Sequence, residues 1–346
     1  MEANMSEAKN EGTNLQLFLK RIPQGVAGPD DFEVRETEIP QIGDQQVLVQ
    51  AHYLSVDAAL RLIVRDSDEF LFRIRPGDMI NNTFAGQVIE SNNADFHAGD
   101  YVLAPLGAQN FGVTNGADLE KIDTSQAPLS GWLGGFGTSG LTAYFAIFEE
   151  CKPQPGQTVV VNGAAGAVGT MAGQFAKLAG ATVIGITGSA QKCQWLTEEL
   201  GYDIAINYHD RDWFDQLEAA APERIDVIFD NVGGDILDQS LKHIATRGIV
   251  LLCGSTSQYP QDEMVGPANY IWLGTMRARM QGFVVFDYAD RYADARRRMA
   301  QWIADGQLKL PEYVIDGDVG DFPRAFQGQY EGKNLGKMLV RLPAAR

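Results

Sequence analysis

Val159-Val160-Val161-Asn162-Gly163-Ala164-Ala165-Gly166-Ala167-Val168-Gly169 runs from three β-branched residues into a glycine-rich turn and out toward a helix. The apolar run predicts a buried strand, and the turn is an A-x-G-x-x-G form of a dinucleotide-binding loop with Ala164 at the first glycine place. In such a loop Gly166 lets the backbone approach a pyrophosphate, and Gly169 lets the helix pack closely on the strand. The unpaired N–H groups of the helix start then face the phosphate charge. A glycine triplet alone is weak evidence. A strand before it, a helix after it and a βαβ unit around it give it weight.

Downstream, strand and helix alternate. Strands are expected at Thr182–Ile186, Asp203–Ile206, Ile225–Phe229 and Ile249–Leu252, with helices through Thr170–Leu178 and Ala190–Leu200. Short helical crossovers between apolar strands imply a doubly wound parallel sheet of the Rossmann type. Upstream, Val47–Ala51, Phe84–Glu90 and Tyr101–Ala104 are short strands punctuated by Gly43-Asp44 and Gly99-Asp100, the pattern of a compact antiparallel barrel. Tyr313-Val314-Ile315 and Lys337–Val340 return to strand character and are expected to rejoin that barrel. The expected division is a disordered tail at 1–13, a discontinuous barrel domain at 14–137 and 310–346, and a nucleotide-binding Rossmann domain at 138–309.

The chain has 346 residues, a net charge of −17 and a sequence pI near 4.6. Such a surface repels phosphate backbones and anionic lipid, so neither nucleic acid nor membrane is an expected partner. Three scattered cysteines give no disulfide framework, and no apolar run reaches the roughly 18 residues that span a bilayer. The polar N-terminal stretch lacks an apolar signal core, which makes the cytoplasm the expected address.

The end of the second strand decides the cofactor. NAD binders usually carry an acid about 20 residues beyond the loop, but here the chain reads Thr187-Gly188-Ser189-Ala190-Gln191-Lys192. A carboxylate would repel a 2′-phosphate, whereas Ser189 and Lys192 can bind one by charge-assisted hydrogen bonds. Lys192 read as a solvated helix residue would leave the choice open; the missing acid and the available base together point to NADPH. For zinc the chain offers His52, His97, His209 and His243 and no C-x-x-C, so neither three convergent catalytic ligands nor four structural ones suggest themselves. No metal site is expected.

With these landmarks the chain resembles the zinc-independent medium-chain dehydrogenase/reductase family, in the branch of prostaglandin reductase (leukotriene B4 dehydrogenase) and bacterial curcumin reductase. The resemblance runs through G-L-T-A-Y at Gly140–Tyr144, A-A-G-A-V-G at Ala164–Gly169 and G-S-A-Q-K at Gly188–Lys192. It continues through F-D-N-V-G-G at Phe229–Gly234, C-G-S-T-S-Q-Y at Cys253–Tyr259, F-V-V at Phe283–Val285 and G-K-N-L-G-K at Gly332–Lys337. It implies a GroES-like barrel beside the Rossmann sheet. By resemblance, Ala165, Gly166, Ala167, Val168 and Gly169 meet the pyrophosphate, and Gly188, Ser189, Lys192 and Tyr208 hold the adenosine phosphate end. Asn231 lies near the nicotinamide half, with Cys253, Gly254, Ser255, Thr256, Ser257 and Tyr259 along its far side. Phe283, Val284 and Val285 line the nicotinamide, and Asn334 reaches the cofactor from the returning tail. Zinc-dependent relatives carry a His-Glu pair where Asn82-Thr83 stand here.

The implied chemistry is reduction of the carbon–carbon double bond of enones and enals. Hydride goes to the β-carbon, and Tyr259 is the candidate catalytic donor to the carbonyl oxygen. Tyr259 as an ordinary loop tyrosine, and Phe283–Val285 as a plain buried strand, are the bland alternatives. Where the family reads S-V-D-P-Y-M-R, this chain has Ser55-Val56-Asp57-Ala58-Ala59-Leu60-Arg61, which reshapes the pocket wall at Ala59. Tyr259–Met276, with Tyr270 and Trp272, is expected to form a substrate lid, with those aromatics as plain core the alternative. Two other functions fit the same motifs: an NADPH quinone oxidoreductase, and a non-catalytic NADPH-binding sensor or structural protein. Met280–Phe286, apolar and last in the sheet, is expected to be an edge strand that pairs with its two-fold copy in a homodimer.

Overall fold

The computed structural model describes residues 12–66 and 73–343. The tail expected at 1–13 lies outside them except for its last two residues, and Thr13 already opens a strand. The chain begins with a ribbon of β1 (Thr13–Leu19) and β2 (Phe32–Glu38). A larger sheet follows, of β3 (Val47–Ser55), β4 (Phe84–Ser91), β5 (Tyr101–Ala104), β6 (Phe111–Thr114) and β7 (Glu120–Lys121), with the short α1 (Leu60–Ile63) between β3 and β4. β3 alternates little because both its faces are covered: Val47, Leu48, Val49, Ala51 and Leu54 are all buried.

After α2 (Thr138–Phe145) the chain becomes regular. β8 (Thr158–Asn162), α3 (Ala167–Leu178), β9 (Thr182–Thr187), α4 (Ala190–Leu200), β10 (Ile204–Asn207), α5 (Trp213–Ala220), β11 (Ile225–Asp230), α6 (Gly234–Leu241) and β12 (Ile244–Leu252) follow in turn. Then come α7 (Ile271–Met276), β13 (Arg279–Gly282) and α8 (Tyr292–Ala304). The strand order is β10-β9-β8-β11-β12-β13, all parallel. The order reverses beside β8, and ligands of doubly wound sheets bind at such a switch point, outside the carboxyl ends of the strands.

The chain then returns. β14 (Glu312–Asp316) pairs in parallel with β15 (Lys337–Arg341), α9 (Phe322–Tyr330) lies between them, and β15 pairs antiparallel with β3. The first sheet is therefore mixed, with one parallel pair at its end. Two large apolar clusters hold the molecule. One gathers Leu17, Val49, Phe84, Val102, Phe322 and Val340; the other gathers Phe136, Phe145, Val161, Phe175 and Phe229, with Trp132 and Ile122 from the connecting segment. Each fully buried aromatic in them contributes roughly 1.5–3 kcal/mol by leaving water.

Two expectations fail locally. The strand expected over Met280–Phe286 ends at Gly282, and Val285–Arg291 coil into a tight 3-10 turn. Tyr288 stacks on Phe145 with ring centroids 4.5 Å apart, which draws the chain off the sheet. Trp272 is not part of a lid: it packs with the cluster of Ile228, Leu241 and Val250, beneath the Arg224 guanidinium. Among the described residues no helix is long and apolar enough to cross a membrane.

Candidate functional site

The A-x-G-x-x-G turn closes β8 and opens α3. Gly166 is the helix N-cap in an extended conformation, and no side chain caps the helix. The first N–H groups of a twelve-residue helix are thus left for a ligand, at the end where its dipole is positive. Gly169 is required by contact: a Cβ there would lie 2.4 Å from the Gly163 carbonyl oxygen and 2.8 Å from the Ala164 Cα. Behind the loop the buried Tyr202 hydroxyl donates to the Gly169 carbonyl at 2.7 Å. The returning tail docks in front. Gly336 N–H donates to the Ala165 carbonyl at 2.9 Å, and the Asn334 side chain, buried, donates to the Gly336 carbonyl at 2.8 Å. Asn334 is thereby tied to the segment that docks on Ala165. Gly336 adopts φ +79°, where a Cβ would lie 2.3 Å from the Pro311 carbonyl oxygen.

At the end of β9, Ser189 caps α4 and its hydroxyl accepts from the Lys192 N–H at 3.2 Å. Tyr208 leans over Gly188, where a Cβ would meet its hydroxyl at 3.0 Å. The Lys192 ammonium lies by Gly332 of the tail, 3.4 Å from where a Cβ would be. Among the described residues no carboxylate pairs with it, and burial lowers its pKa. Gly188, Ser189, Lys192 and Tyr208 therefore form one cluster, closed by a loop from the far end of the chain.

The opposite end of the crevice is assembled from more distant pieces. Asp230, fully buried at the end of β11, accepts from the Asn162 amide at 2.7 Å and from the Gly233 N–H at 2.9 Å. Burial pushes its pKa up to about 6, with the Asn162 and backbone hydrogen bonds opposing. Asn231 donates to the Asn162 carbonyl at 2.9 Å. The segment after β12 is zipped onto this strand end. Cys253 and Gly254 N–H groups donate to the Asp230 carbonyl, Thr256 to Asn231 and Ser257 to Val232, at 2.9–3.1 Å. Burial pushes the Cys253 thiol up to about 12, so it is no thiolate. Tyr259 folds back over the turn, and its hydroxyl accepts from the Ser255 N–H at 3.1 Å. It is buried, which raises its pKa and keeps it a neutral phenol. Phe283 packs against the aromatic cluster and Val285 is in the core, whereas Val284 is exposed.

Three contacts at this end were not singled out by the sequence reading. Arg65, just past α1, reaches across to the Tyr259 loop and donates to the Gln261 and Asp262 carbonyls, both at 2.9 Å. Lys337, nearly inaccessible, pairs with Asp57 and donates to the Val56 carbonyl at 3.2 Å. Burial opposes ionisation of Asp57, but the Lys337 charge and the hydrogen bonds from Lys337 and Ser55 outweigh it and hold the carboxylate below its usual pKa. Tyr330, whose hydroxyl donates to the Ala58 carbonyl at 2.8 Å, is the third; Tyr202, behind the phosphate turn, was missed at the other end. Asp57 and Lys337 both lie inside family motifs, S-V-D and G-K-N-L-G-K, so the signal was there; only their contact across 280 positions was not. Among the described residues no three His, Cys, Asp or Glu side chains gather into a cation site.

Comparison with known proteins agrees with this architecture. Residues 15–122 match the family described as N-terminal domain of oxidoreductase, and residues 167–304 that described as zinc-binding dehydrogenase. The chain is 34% identical over 335 residues to the NADPH-dependent curcumin reductase of Escherichia coli, covering 95% of this chain and 97% of that one. It is 36% identical over 332 residues to prostaglandin reductase 1 of Bos taurus, covering 93% and 97%. The crystal structure of CurA from Vibrio vulnificus in complex with NADPH superposes with a TM-score of 0.90 at 33% identity, over 95% of this chain and 99% of that one. The chain belongs to the zinc-independent medium-chain dehydrogenase/reductase family, in its curcumin reductase and prostaglandin reductase branch.

Proposed function

We propose that the protein is an NADPH-dependent reductase of the carbon–carbon double bond of α,β-unsaturated ketones and aldehydes, with Tyr259 as the catalytic donor to the carbonyl oxygen. The observation that carries this reading is the state of the Tyr259 hydroxyl. It accepts from Ser255 and donates to no described residue, so its proton is free for a substrate oxygen at the carboxyl edge of the sheet. The family relationship supports the same chemistry, since relatives named for NADPH-dependent curcumin and prostaglandin reduction align over nearly the whole chain.

The residues present fit NADPH. The uncapped start of α3 suits a pyrophosphate, and an unpaired, half-buried Lys192 beside Ser189 suits a 2′-phosphate. Ala165, Gly166, Ala167, Val168 and Gly169 would hold the pyrophosphate, and Gly188, Ser189, Lys192 and Tyr208 the adenosine phosphate. Asn231, Cys253–Ser257, Phe283–Val285 and Asn334 would hold the rest. Bound there, NADPH would be the source of the hydride for the substrate β-carbon. Tyr259 would hydrogen-bond the oxygen on which the enolate charge collects, and the α-carbon would take a proton from solvent water, directly or relayed through the Tyr259 phenol, to give the saturated ketone or aldehyde.

With 4-deuterated NADPH the label should appear at the β-carbon and the carbonyl should survive. A labelled allylic alcohol would show that the wrong bond was assigned. The working unit is proposed to be a homodimer, in which the free edge β13 of the parallel sheet pairs with its copy and covers the exposed Val284 and Phe286. The domain division at 137/138 and 309/310 belongs to the same proposal.

A further inference from the structure

The departure at Ala58-Ala59 leaves a place in the cleft wall where the family pattern has a proline and a tyrosine. Ala59 is exposed and Ala58 half-buried, at the start of α1. A different aromatic comes to this corner. Tyr330 ends α9, immediately before the tail loop that docks on the phosphate turn, and its hydroxyl donates to the Ala58 carbonyl at 2.8 Å. Its ring is fixed edge-on against Phe326, with centroids 5.5 Å apart. Arg61, buried one turn on, donates to the Gly25 and Pro23 carbonyls at 2.7 and 3.1 Å and so fixes the α1 backbone whose carbonyl Tyr330 uses. The corner adjoins the Tyr259 loop, because Arg65, just past α1, donates to the Gln261 and Asp262 carbonyls at 2.9 Å; burial raises the pKa of Tyr330, so it too is neutral.

The two phenols have opposite hydrogen-bonding states. Tyr259 accepts from the protein and keeps its proton; Tyr330 gives its proton to Ala58 and keeps its lone pairs. A substrate reaching from the Tyr259 loop to the Ala58 corner would meet a donor at one end and an acceptor at the other. We propose that Tyr330 is a specificity-determining residue of the substrate cleft, an acceptor that recognises a hydroxyl on the substrate away from its carbonyl, in the room left by Ala59. This rests on the enone-reductase reading for the carbonyl end, with Tyr259 as its donor.

The test uses two saturated ketones that differ by one hydroxyl, 4-(4-hydroxyphenyl)butan-2-one and 4-phenylbutan-2-one, titrated calorimetrically into the full-length protein saturated with NADP+. One neutral hydrogen bond should make the hydroxylated ketone bind about fivefold more tightly to the wild type. Tyr330→Phe should bring the two affinities within about twofold by weakening only the hydroxylated ketone. Ala59→Tyr, at an exposed position that tolerates a larger side chain, should abolish the preference by filling the room, which keeps the test decisive even where Tyr330→Phe loses its fold. Equal affinities in the wild type, or a preference that survives in either folded variant, would overturn the proposal. If the preference tracks Tyr330 but no enone is reduced with NADPH, Tyr330 stands and the enone reading falls. If enones are reduced but the preference is indifferent to Tyr330, the enone reading stands and Tyr330 falls.

Discussion

The two ends of the crevice are built in different ways. The phosphate end has a local frame, Gly163–Gly169 and Gly188–Lys192 of one βαβ unit, closed by the returning tail, and what that frame offers is mostly backbone N–H groups, a cap and one ammonium. The carbonyl end draws on β8, β11, the turn after β12, α1 and α9, and what it offers is side chains whose protons are committed or free according to distant partners. On the proposed function, the phosphate end would select the cofactor and the carbonyl end would direct the chemistry. Substitutions at the two ends should fail in different observables.

The sharpest break is expected at Tyr259. On the proposed mechanism Tyr259→Phe removes the donor to the enolate oxygen, and losing one such donor should cost about 100-fold in turnover. NADPH affinity, measured by fluorescence titration, should hold within about twofold, because the interaction is made mainly in the transition state. A full-rate variant would remove Tyr259 from the mechanism and leave the reaction class standing.

Lys192→Ala should show the converse. The NADPH Michaelis constant should rise about tenfold, consistent with a charge-assisted hydrogen bond at a half-exposed site, while the NADH constant stays put. Equal use of NADPH and NADH by the wild type would sink the assignment of the phosphate end.

Arg65 tests whether the carbonyl end is held from across the cleft. Arg65→Ala removes two hydrogen bonds to the Tyr259 loop and should raise the Michaelis constant for an enone about threefold to fivefold. NADPH binding should not change, and Arg65→Lys should restore part of the loss. An unchanged Michaelis constant in Arg65→Ala would show that the loop holds its position without the bridge.

The smallest effect is a pH dependence at Asp230. Its folded pKa is raised to about 6 from an ordinary value near 3.8, so the folded state binds a proton more tightly than the unfolded one. The stability it contributes is present at low pH and is lost as pH rises from about 4 to about 6. The thermal midpoint of wild type minus that of Asp230→Asn should fall by a few degrees across that window. Asp57, held low by Lys337, has the opposite sign and loses its contribution as pH falls below about 4. A wild-type-minus-variant difference that is flat between pH 4 and 6 would refute the assignment at Asp230.

Much of the fold was legible because it rests on short-range patterns. β8, α3, β9 and α4 lie within a residue or two of where apolar runs, the glycine turn and Ser189 predict them, apart from the earlier start of α3. Met280–Phe286 leaves the sheet partway along, because an apolar run does not say whether its residues stay in a ladder. Here Phe145 competes for Tyr288 and pulls the chain into a turn after Gly282. Trp272 shows the same limit, since an aromatic in a loop-like stretch serves equally as lid or core until its neighbours are known.

By itself the sequence determined the parallel sheet, the phosphate turn, the missing acid after β9 and the family. Each is written in residues close together in the chain, where glycine geometry, helix capping and strand periodicity act without help from elsewhere. Only the tertiary structure decided that Lys337 meets Asp57, that Arg65 bridges to Gln261, that Tyr259 keeps its proton and that Tyr330 gives its own away. Those facts are hydrogen-bond commitments between segments up to 280 positions apart. A residue's type fixes how many bonds it can make, and only the folded neighbourhood fixes which of them remain for a ligand.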